Sequence, residues 1–211
     1  MEFNKILLIG LLAQLLFSAR LLIQWYESEK NKKVESPVMF WILSIIASSL
    51  LIIYGVLRKD IVIVGGQIIS YYIYIRNLQL NNLWEKLPDL LRHILLILPM
   101  LGFGYLFFFH NINAIIHNDE ISRNLLVWGG AGQTIFTLRF IYQWYASEKA
   151  KESIFPFSFW IISLTGSLMI IIYGIFRKDV IIIMGQMFGV FIYIRNVMIH
   201  MSNHKNLFFG K

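Results

Sequence analysis

Seven apolar stretches, each long enough to cross a bilayer, alternate along this chain with short polar segments. A helix needs roughly 20 consecutive apolar residues to span the hydrocarbon core. The stretches are apolar throughout instead of at every second position, which favours helices over barrel strands. We therefore predict an all-α membrane protein whose seven transmembrane helices cover residues 6–26, 38–57, 61–80, 90–109, 121–145, 157–176 and 180–200.

The sequence repeats itself after 119 residues. Residues 14–77 align with residues 133–196 without a gap, and 31 of the 64 aligned pairs are identical. Each copy contains three predicted helices, and the remaining helix, at residues 90–109, separates the copies. Three spans alone would invert the second copy, so the intervening helix returns it to the orientation of the first. The predicted architecture is three helices, one linker helix and three helices, with parallel repeats related by an axis along the membrane normal.

This architecture divides the chain into a first three-helix repeat at residues 1–80, a linker with the fourth transmembrane helix at 81–119, and a second repeat with a short tail at 120–211. The N-terminal stretch has the composition of a cleaved signal peptide. However, residues 14–30 recur at 133–149, inside the chain. We therefore expect the first stretch to be retained as a transmembrane helix.

Composition and charge agree with a membrane protein. Hydrophobic residues make up 57% of the 211 residues and charged residues only 15%. The net charge of +7 reflects lysines and arginines in short loops, which orient membrane proteins, so we predict no nucleic-acid partner. Eleven of these residues lie on the side of the C-terminus and six on the side of the N-terminus. This bias predicts an N-terminus outside and a C-terminus in the cytoplasm.

Enzymatic chemistry is not recognisable in the sequence. The chain has no cysteine. It also contains no phosphate-binding loop, no zinc signature and no set of nucleophile and base. We predict a protein that is not an enzyme, uses no cofactor and binds no metal ion.

The two copies retain their polar residues while their apolar residues drift. The retained residues are Gln14 and Gln133, Arg20 and Arg139, Gln24 and Gln143, Gln67 and Gln186, Arg76 and Arg195, Asn77 and Asn196, and the tyrosines Tyr74 and Tyr193. An arginine near the bilayer centre costs about 2.5–3.5 kcal/mol on insertion scales, so its retention indicates a role. Gln24 follows Arg20 by one helical turn on the same face. Because a guanidinium fork matches phosphate and carboxylate, we predict that these residues bind an anionic, phosphate-bearing ligand between the two repeats.

Structural roles are the alternative for several of these residues. Arg76 and Arg195 close helices at the cytoplasmic side, where arginines also reach lipid phosphates or cap helix ends. Gln14 and Gln67 either line a central path or make hydrogen bonds between helices. Gly55 and Gly66, with their counterparts, are predicted to allow close helix packing. Glu29 is expected to make only an exposed ion pair.

One long pattern in both copies, R-x3-QW-x2-SEK…P-x2-FW…YG-x2-RKD…GQ…Y-I-R-N, resembles the lipid A biosynthesis N-terminal domain family. That family is grouped with the PQ-loop and SWEET-like membrane proteins, whose full-length members have the three-one-three plan. The resemblance implies a role in envelope glycolipid metabolism in a bacterial inner membrane. The glycosyltransferase part of lipid-A-disaccharide synthase is not expected in these residues.

Three functions are consistent with the sequence. The first is a transporter or flippase that binds and moves a phosphate-bearing lipid, such as a polyprenyl-phosphate-linked sugar or a lipid A precursor. The second is a non-transporting partner that holds a glycosyltransferase at the membrane through loops 27–36 and 146–155. The third is a SWEET-like transporter of a small soluble metabolite. The partners implied are membrane lipids, the lipid-linked sugar and a glycosyltransferase.

Overall fold

The computed structural model describes residues 2–58, 61–109, 123–178 and 180–209. Over those residues the chain forms seven α-helices, one 3-10 turn and no strand. The elements are α1 (Glu2–Asn31), α2 (Val38–Leu57), α3 (Ile61–Leu80), the 3-10 turn (Trp84–Lys86), α4 (Asp89–Phe109), α5 (Arg123–Ala150), α6 (Phe157–Arg177) and α7 (Val180–Phe209). The all-α prediction is confirmed. Residues 110–119 of the predicted linker, and residues 121 and 122 of the predicted fifth span, lie outside the described residues.

Five helices in the described part of the chain are long and apolar enough to cross a membrane. These candidate spans are Ile6–Asn31 in α1, Val38–Leu57 in α2, Asp89–Phe108 in α4, Phe157–Phe176 in α6 and Ile182–Ser202 in α7. The helices α3 and α5 are not among these candidate spans. The seven-span arrangement and its SWEET-like fold therefore stay predictions.

The first helix of each copy ends in the same way. Lys32, directly after α1, has a left-handed φ of 53°, and Lys151, directly after α5, has a φ of 59°. A left-handed residue stops helix propagation and turns the chain. A proline then precedes the next helix, Pro37 before α2 and Pro156 before α6, where its fixed φ and missing N–H are tolerated. The repeat thus encodes a sharp connection between its first two helices.

The chain divides into two compact units. The first contains Met1–Arg20 and Val38–Asn118, and the second contains Leu21–Pro37 and Asp119–Lys211. The helix α1 therefore contributes residues to both units.

In the first unit, α2 packs on α3 and α4, and α3 packs on α4. The core of this unit is aromatic and aliphatic, with Trp41, Ile52 and Tyr71 almost completely buried. Trp84, in the 3-10 turn that packs on α3, is also buried. In the second unit, α6 packs on α5 and on α7. Trp160 and Ile192 are fully buried there.

The predicted glycine packing holds for one pair and fails for the other. A β-carbon added to Gly55 would lie 2.7 Å from the Val64 side chain, and one added to Gly174 would lie 3.0 Å from Ile183. These glycines allow α2 and α6 to approach the following helix closely. The prediction for Gly66 and its counterpart Gly185 was wrong, because open space surrounds both positions within 4 Å.

Candidate ligand-binding site

Arg20 lies inside the first unit and is only 6% exposed. Its Nη1 donates a 2.6 Å hydrogen bond to the Ser44 hydroxyl on α2. Three aromatic rings surround the guanidinium carbon, with centroids at 4.5 Å for Phe17, 4.8 Å for Phe40 and 5.2 Å for Tyr74. We call these five residues the Arg20 cage.

The second unit repeats this arrangement around Arg139, which is 5% exposed. The guanidinium carbon lies 3.3 Å from the ring centroid of Phe136, 5.8 Å from that of Phe159 and 5.7 Å from that of Tyr193. Phe140 adds a further ring at 4.8 Å. Arg139 Nη1 donates a hydrogen bond to the Tyr193 hydroxyl at 3.0 Å. We call these five residues the Arg139 cage.

The cages explain how two charged side chains remain inside apolar helices. The negative face of an aromatic ring attracts a cation, and each contact contributes about 2 kcal/mol when both groups are desolvated. The hydroxyl acceptors of Ser44 and Tyr193 satisfy hydrogen bonds but carry no charge. Both arginines therefore point into their own unit, and do not reach outward to lipid headgroups.

The two glutamines that follow the arginines hold the next loop. Gln24 is fully buried and its Nε2 donates to Ser28 Oγ at 2.9 Å and to the carbonyl of Glu35 at 3.3 Å. The Ser28 hydroxyl also accepts the backbone N–H of Glu35 at 3.0 Å. In the second copy Gln143 donates to Ser147 and to the carbonyl of Ile154, and Ser147 accepts the Ile154 N–H. In each copy, the glutamine and the serine thus hold the loop between the first two helices of the repeat through hydrogen bonds to its backbone.

Gln24 also exchanges hydrogen bonds with Asn196 in the second unit. Gln24 Nε2 donates to Asn196 Oδ1 at 2.8 Å, and Asn196 Nδ2 donates to Gln24 Oε1 at 3.0 Å. Both side chains are fully buried. A reciprocal amide pair satisfies both polar ends, so it joins the end of α1 to α7 without an unpaired buried group. Asn77, the counterpart of Asn196, is also fully buried and donates to the carbonyl of Ile73 at 2.9 Å.

Arg195 binds a carboxylate of the same unit. Its Nε and Nη2 donate to the two oxygens of Glu29 on α1, the second at 2.9 Å. Trp25 Nε1 donates to Glu29 Oε1 at 3.0 Å, and its ring meets the edge of Phe191 on α7. The expectation that Glu29 makes only an exposed ion pair was therefore wrong. Arg76, the counterpart of Arg195, donates to Gln79 at 3.0 Å.

The remaining glutamines fall into two kinds. Gln67 accepts a 2.8 Å hydrogen bond from Ser48, and Gln186 accepts one of 3.0 Å from Ser167. Each bond joins the second and third helices of its repeat. Gln14 and Gln133 are exposed on α1 and α5 and lie outside both cages.

The structure brings some of the predicted site residues together and separates others. Arg20 meets Tyr74, Arg139 meets Tyr193, and Gln24 meets Asn196. Arg20 and Gln24 do not share a partner in these contacts, although they lie on one helical face. Whether all fourteen residues bind one ligand stays a prediction.

Sequence reasoning missed the partners of these residues. The missed side chains are Phe17 and Phe136, Ser28 and Ser147, Phe40 and Phe159, Ser48 and Ser167, and Ser44. All are identical between the copies, so the repeat contained the signal that would have found them. No group of three or more His, Asp or Glu side chains in the described ranges could hold a metal ion.

Two stretches of the chain match the Lipid A Biosynthesis N-terminal domain family, at residues 9–79 and 128–198. Similar proteins named lipid-A-disaccharide synthase are 32% identical over 198 residues in Chlamydia pneumoniae, 29% identical over 202 residues in Chlamydia abortus, and 28% identical over 202 residues in Chlamydia trachomatis serovar D. Each alignment covers 90% of this chain but only 32%, 32% and 33% of the respective relative. The chain thus spans about a third of the length of the curated relatives it matches.

No solved structure matches the chain. The two matched stretches are offset by the same 119 residues as the internal repeat, and together they cover most of the chain. Both cages, the hydrogen bonds that hold the two loops, and the serine–glutamine hydrogen bonds all lie within these stretches. The chain therefore belongs to the Lipid A Biosynthesis N-terminal domain family, of which it contains two copies in tandem.

Proposed function

We propose that this protein binds a phosphate-bearing, lipid-linked sugar of envelope glycolipid metabolism and moves it across the bacterial inner membrane. Membership of a lipid A biosynthesis family and five apolar helices support a membrane protein of that metabolism. The observation that supports a phosphate-bearing ligand is the pair of cages, in which buried guanidiniums recur at equivalent positions. In this proposal the chain crosses the membrane seven times, with its N-terminus outside.

The cages suit a phosphate for a chemical reason. Each guanidinium is held against aromatic rings, and the acceptors named above are neutral hydroxyls of Ser44 and Tyr193. A phosphate oxygen is a stronger acceptor than a hydroxyl, because a charge-assisted hydrogen bond is roughly twice as strong as a neutral one. A phosphate that enters a cage therefore gains by replacing the hydroxyl. Rocking of two repeats around such groups is a general route for transport.

Substitution of the two caged arginines tests this proposal. The variants Arg20→Gln and Arg139→Gln should each lower binding of undecaprenyl phosphate in phosphatidylcholine nanodiscs by about tenfold or more, since a charge-assisted contact contributes about 1.5–3 kcal/mol. Transfer of the lipid between leaflets of proteoliposomes should fall in parallel. Arg92→Gln is the matched control, because Arg92 is an arginine outside the cages that binds Asp89 on its own helix.

Protein stability has to be followed in the same variants, since a buried arginine also contributes to folding. Thermal unfolding in detergent separates a loss of fold from a loss of binding. Unchanged binding and transfer in the folded Arg20→Gln, Arg139→Gln double variant would reject the proposal.

A second candidate function is a non-transporting membrane partner of a glycosyltransferase. The relatives named lipid-A-disaccharide synthase favour it, because each combines this region with about twice as much additional chain. The same proteoliposomes distinguish the two functions. A partner protein would bind the lipid, or the enzyme, without raising the rate at which lipid changes leaflet.

A further inference from the structure

Arg195 has the geometry of an anion site whose anion is already present. Its Nε and Nη2 face the two oxygens of the Glu29 carboxylate side by side. This is the arrangement in which a guanidinium also binds two oxygens of a phosphate. Both anions therefore need the same edge of the same side chain, and they cannot occupy it together.

We propose that Glu29 is an internal competitor, which occupies Arg195 until the phosphate of the ligand displaces it. This inference rests on the proposed function and adds how the site is regulated. In it, Arg195 binds the ligand only after Glu29 has left. The affinity for the ligand then depends on how much more strongly Arg195 binds the phosphate than it binds the Glu29 carboxylate, and not on the phosphate contact alone.

The exposure of the pair permits such an exchange. The Arg195 side chain is 39% exposed and the Glu29 side chain 25%. A competing anion can therefore reach Arg195 from solvent, and because the pair is bidentate, that anion has to bind the guanidinium more strongly than the Glu29 carboxylate does. The cage arginines differ in this respect, because they are almost completely buried.

Neighbouring contacts keep the structure intact when the pair opens. The Gln24–Asn196 amide pair is fully buried and continues to join α1 to α7. The released carboxylate also has other partners: Trp25 donates to it at 3.0 Å, and the exposed Lys32 ammonium lies 4.0 Å from its second oxygen. Exchange at Arg195 therefore does not require α1 to leave α7.

Removing the competing charge tests the inference. The variant Glu29→Gln, in phosphatidylcholine nanodiscs, should bind undecaprenyl phosphate roughly two- to fivefold more tightly than the unchanged protein, the range expected for loss of a partly exposed ion pair. Glu27→Gln is the matched control, since it removes the same charge from the same helix two residues away. The gain should disappear when Arg195→Gln is added, because the freed guanidinium is then absent.

The outcomes separate this inference from the proposed function. Equal binding by Glu29→Gln and Glu27→Gln would overturn it, and so would a gain that persists in the Arg195→Gln background. If Glu29→Gln does not tighten binding while Arg20→Gln and Arg139→Gln still lower it by about tenfold or more, only the competition is rejected. If neither the unchanged protein nor Glu29→Gln binds the lipid, both proposals are rejected.

Discussion

Arg20 and Arg139 show how a charged side chain is accommodated within apolar helices. Taking a guanidinium out of water costs several kcal/mol after relaxation. In this protein aromatic rings surround the cation, as close as 3.3 Å from the Phe136 centroid, and a hydroxyl accepts one of its hydrogen bonds. Each cage therefore reduces the cost of burial, and the arginine depends on neighbours from three helices of its repeat.

The hydroxyl acceptors should matter for stability. Ser44→Ala and Tyr193→Phe each remove the acceptor of a buried guanidinium N–H. We expect each to lower the free energy of unfolding in detergent by about 1–2 kcal/mol. Thr165→Ala serves as control, because Thr165 is exposed and bonds only within its own helix, to the Ile161 carbonyl. A loss as large in the control would show that the cage is not the cause.

The sequence predicted which residues matter better than it predicted what they bind. Retention between the copies identified Arg20 and Gln24, and helical spacing put them on one face. In the structure Arg20 reaches Ser44, whereas Gln24 binds Ser28, one turn further on. Long side chains extend in different directions from a shared face, so spacing along a helix does not determine the partner.

At the scale of helices, α5 and α6 cross very closely. A β-carbon added to Gly166 would lie 2.8 Å from the backbone nitrogen of Phe136 and 2.9 Å from its Cα. Backbone atoms cannot move aside as a flexible side chain can. The first copy has Ala47 at the equivalent position, fully buried, so a methyl group fits there. The two repeats are therefore packed differently at this contact.

Alanine substitution measures this contact. Gly166→Ala should lower the free energy of unfolding by about 1–3 kcal/mol, because it overpacks the crossing. Gly185→Ala is the matched control: it is also a glycine inside a helix, but nothing lies within 4 Å of its added β-carbon. There the change should be neutral or stabilise by up to about 1 kcal/mol, through better helix propensity. Equal losses of unfolding free energy in both variants would show that the close crossing of α5 and α6 is not the cause.

The apolar stretches predicted each α-helix in the described residues but not where each one ends. The helix α1 continues to Asn31 and α5 to Ala150, five residues beyond the predicted ends of their apolar stretches. Hydropathy reports which part of a helix lies in lipid, whereas the backbone hydrogen bonds continue past it. The left-handed Lys32 and Lys151 determine the actual ends, and no apolar pattern signals them.

At the scale of the whole chain, the repeat is the strongest prediction and the number of spans the weakest. The family matches recover the duplication with the same offset. In the described residues, α3 and α5 are not candidate spans, whereas their counterparts in the other copy, α7 and α1, are. Because the counterparts carry the same retained polar residues, those residues do not by themselves decide which helix is recognised as transmembrane.

Membrane orientation can be measured with single cysteines, because the chain has none of its own. Asn124→Cys, at the start of α5, is predicted to lie outside. Glu85→Cys and Glu152→Cys, in the connections after α3 and α5, are predicted to lie in the cytoplasm. All three positions are exposed, and none of the changes removes a lysine or arginine that helps to set orientation. A membrane-impermeant maleimide should label only Asn124→Cys in spheroplasts, and all three after permeabilisation.

Departures from this pattern identify errors in the seven-span plan. External labelling of Glu152→Cys together with Asn124→Cys would mean that α5 does not cross. Labelling of only Glu85→Cys and Glu152→Cys has two explanations: either α3 does not cross, which reverses every later segment, or all seven spans are kept and the protein is inverted. Asn31→Cys, exposed at the end of α1, separates the two, because it is labelled only in the inverted protein. In that case the cage arginines would lie nearer the outer leaflet, so the leaflet from which the proposed ligand enters would change as well.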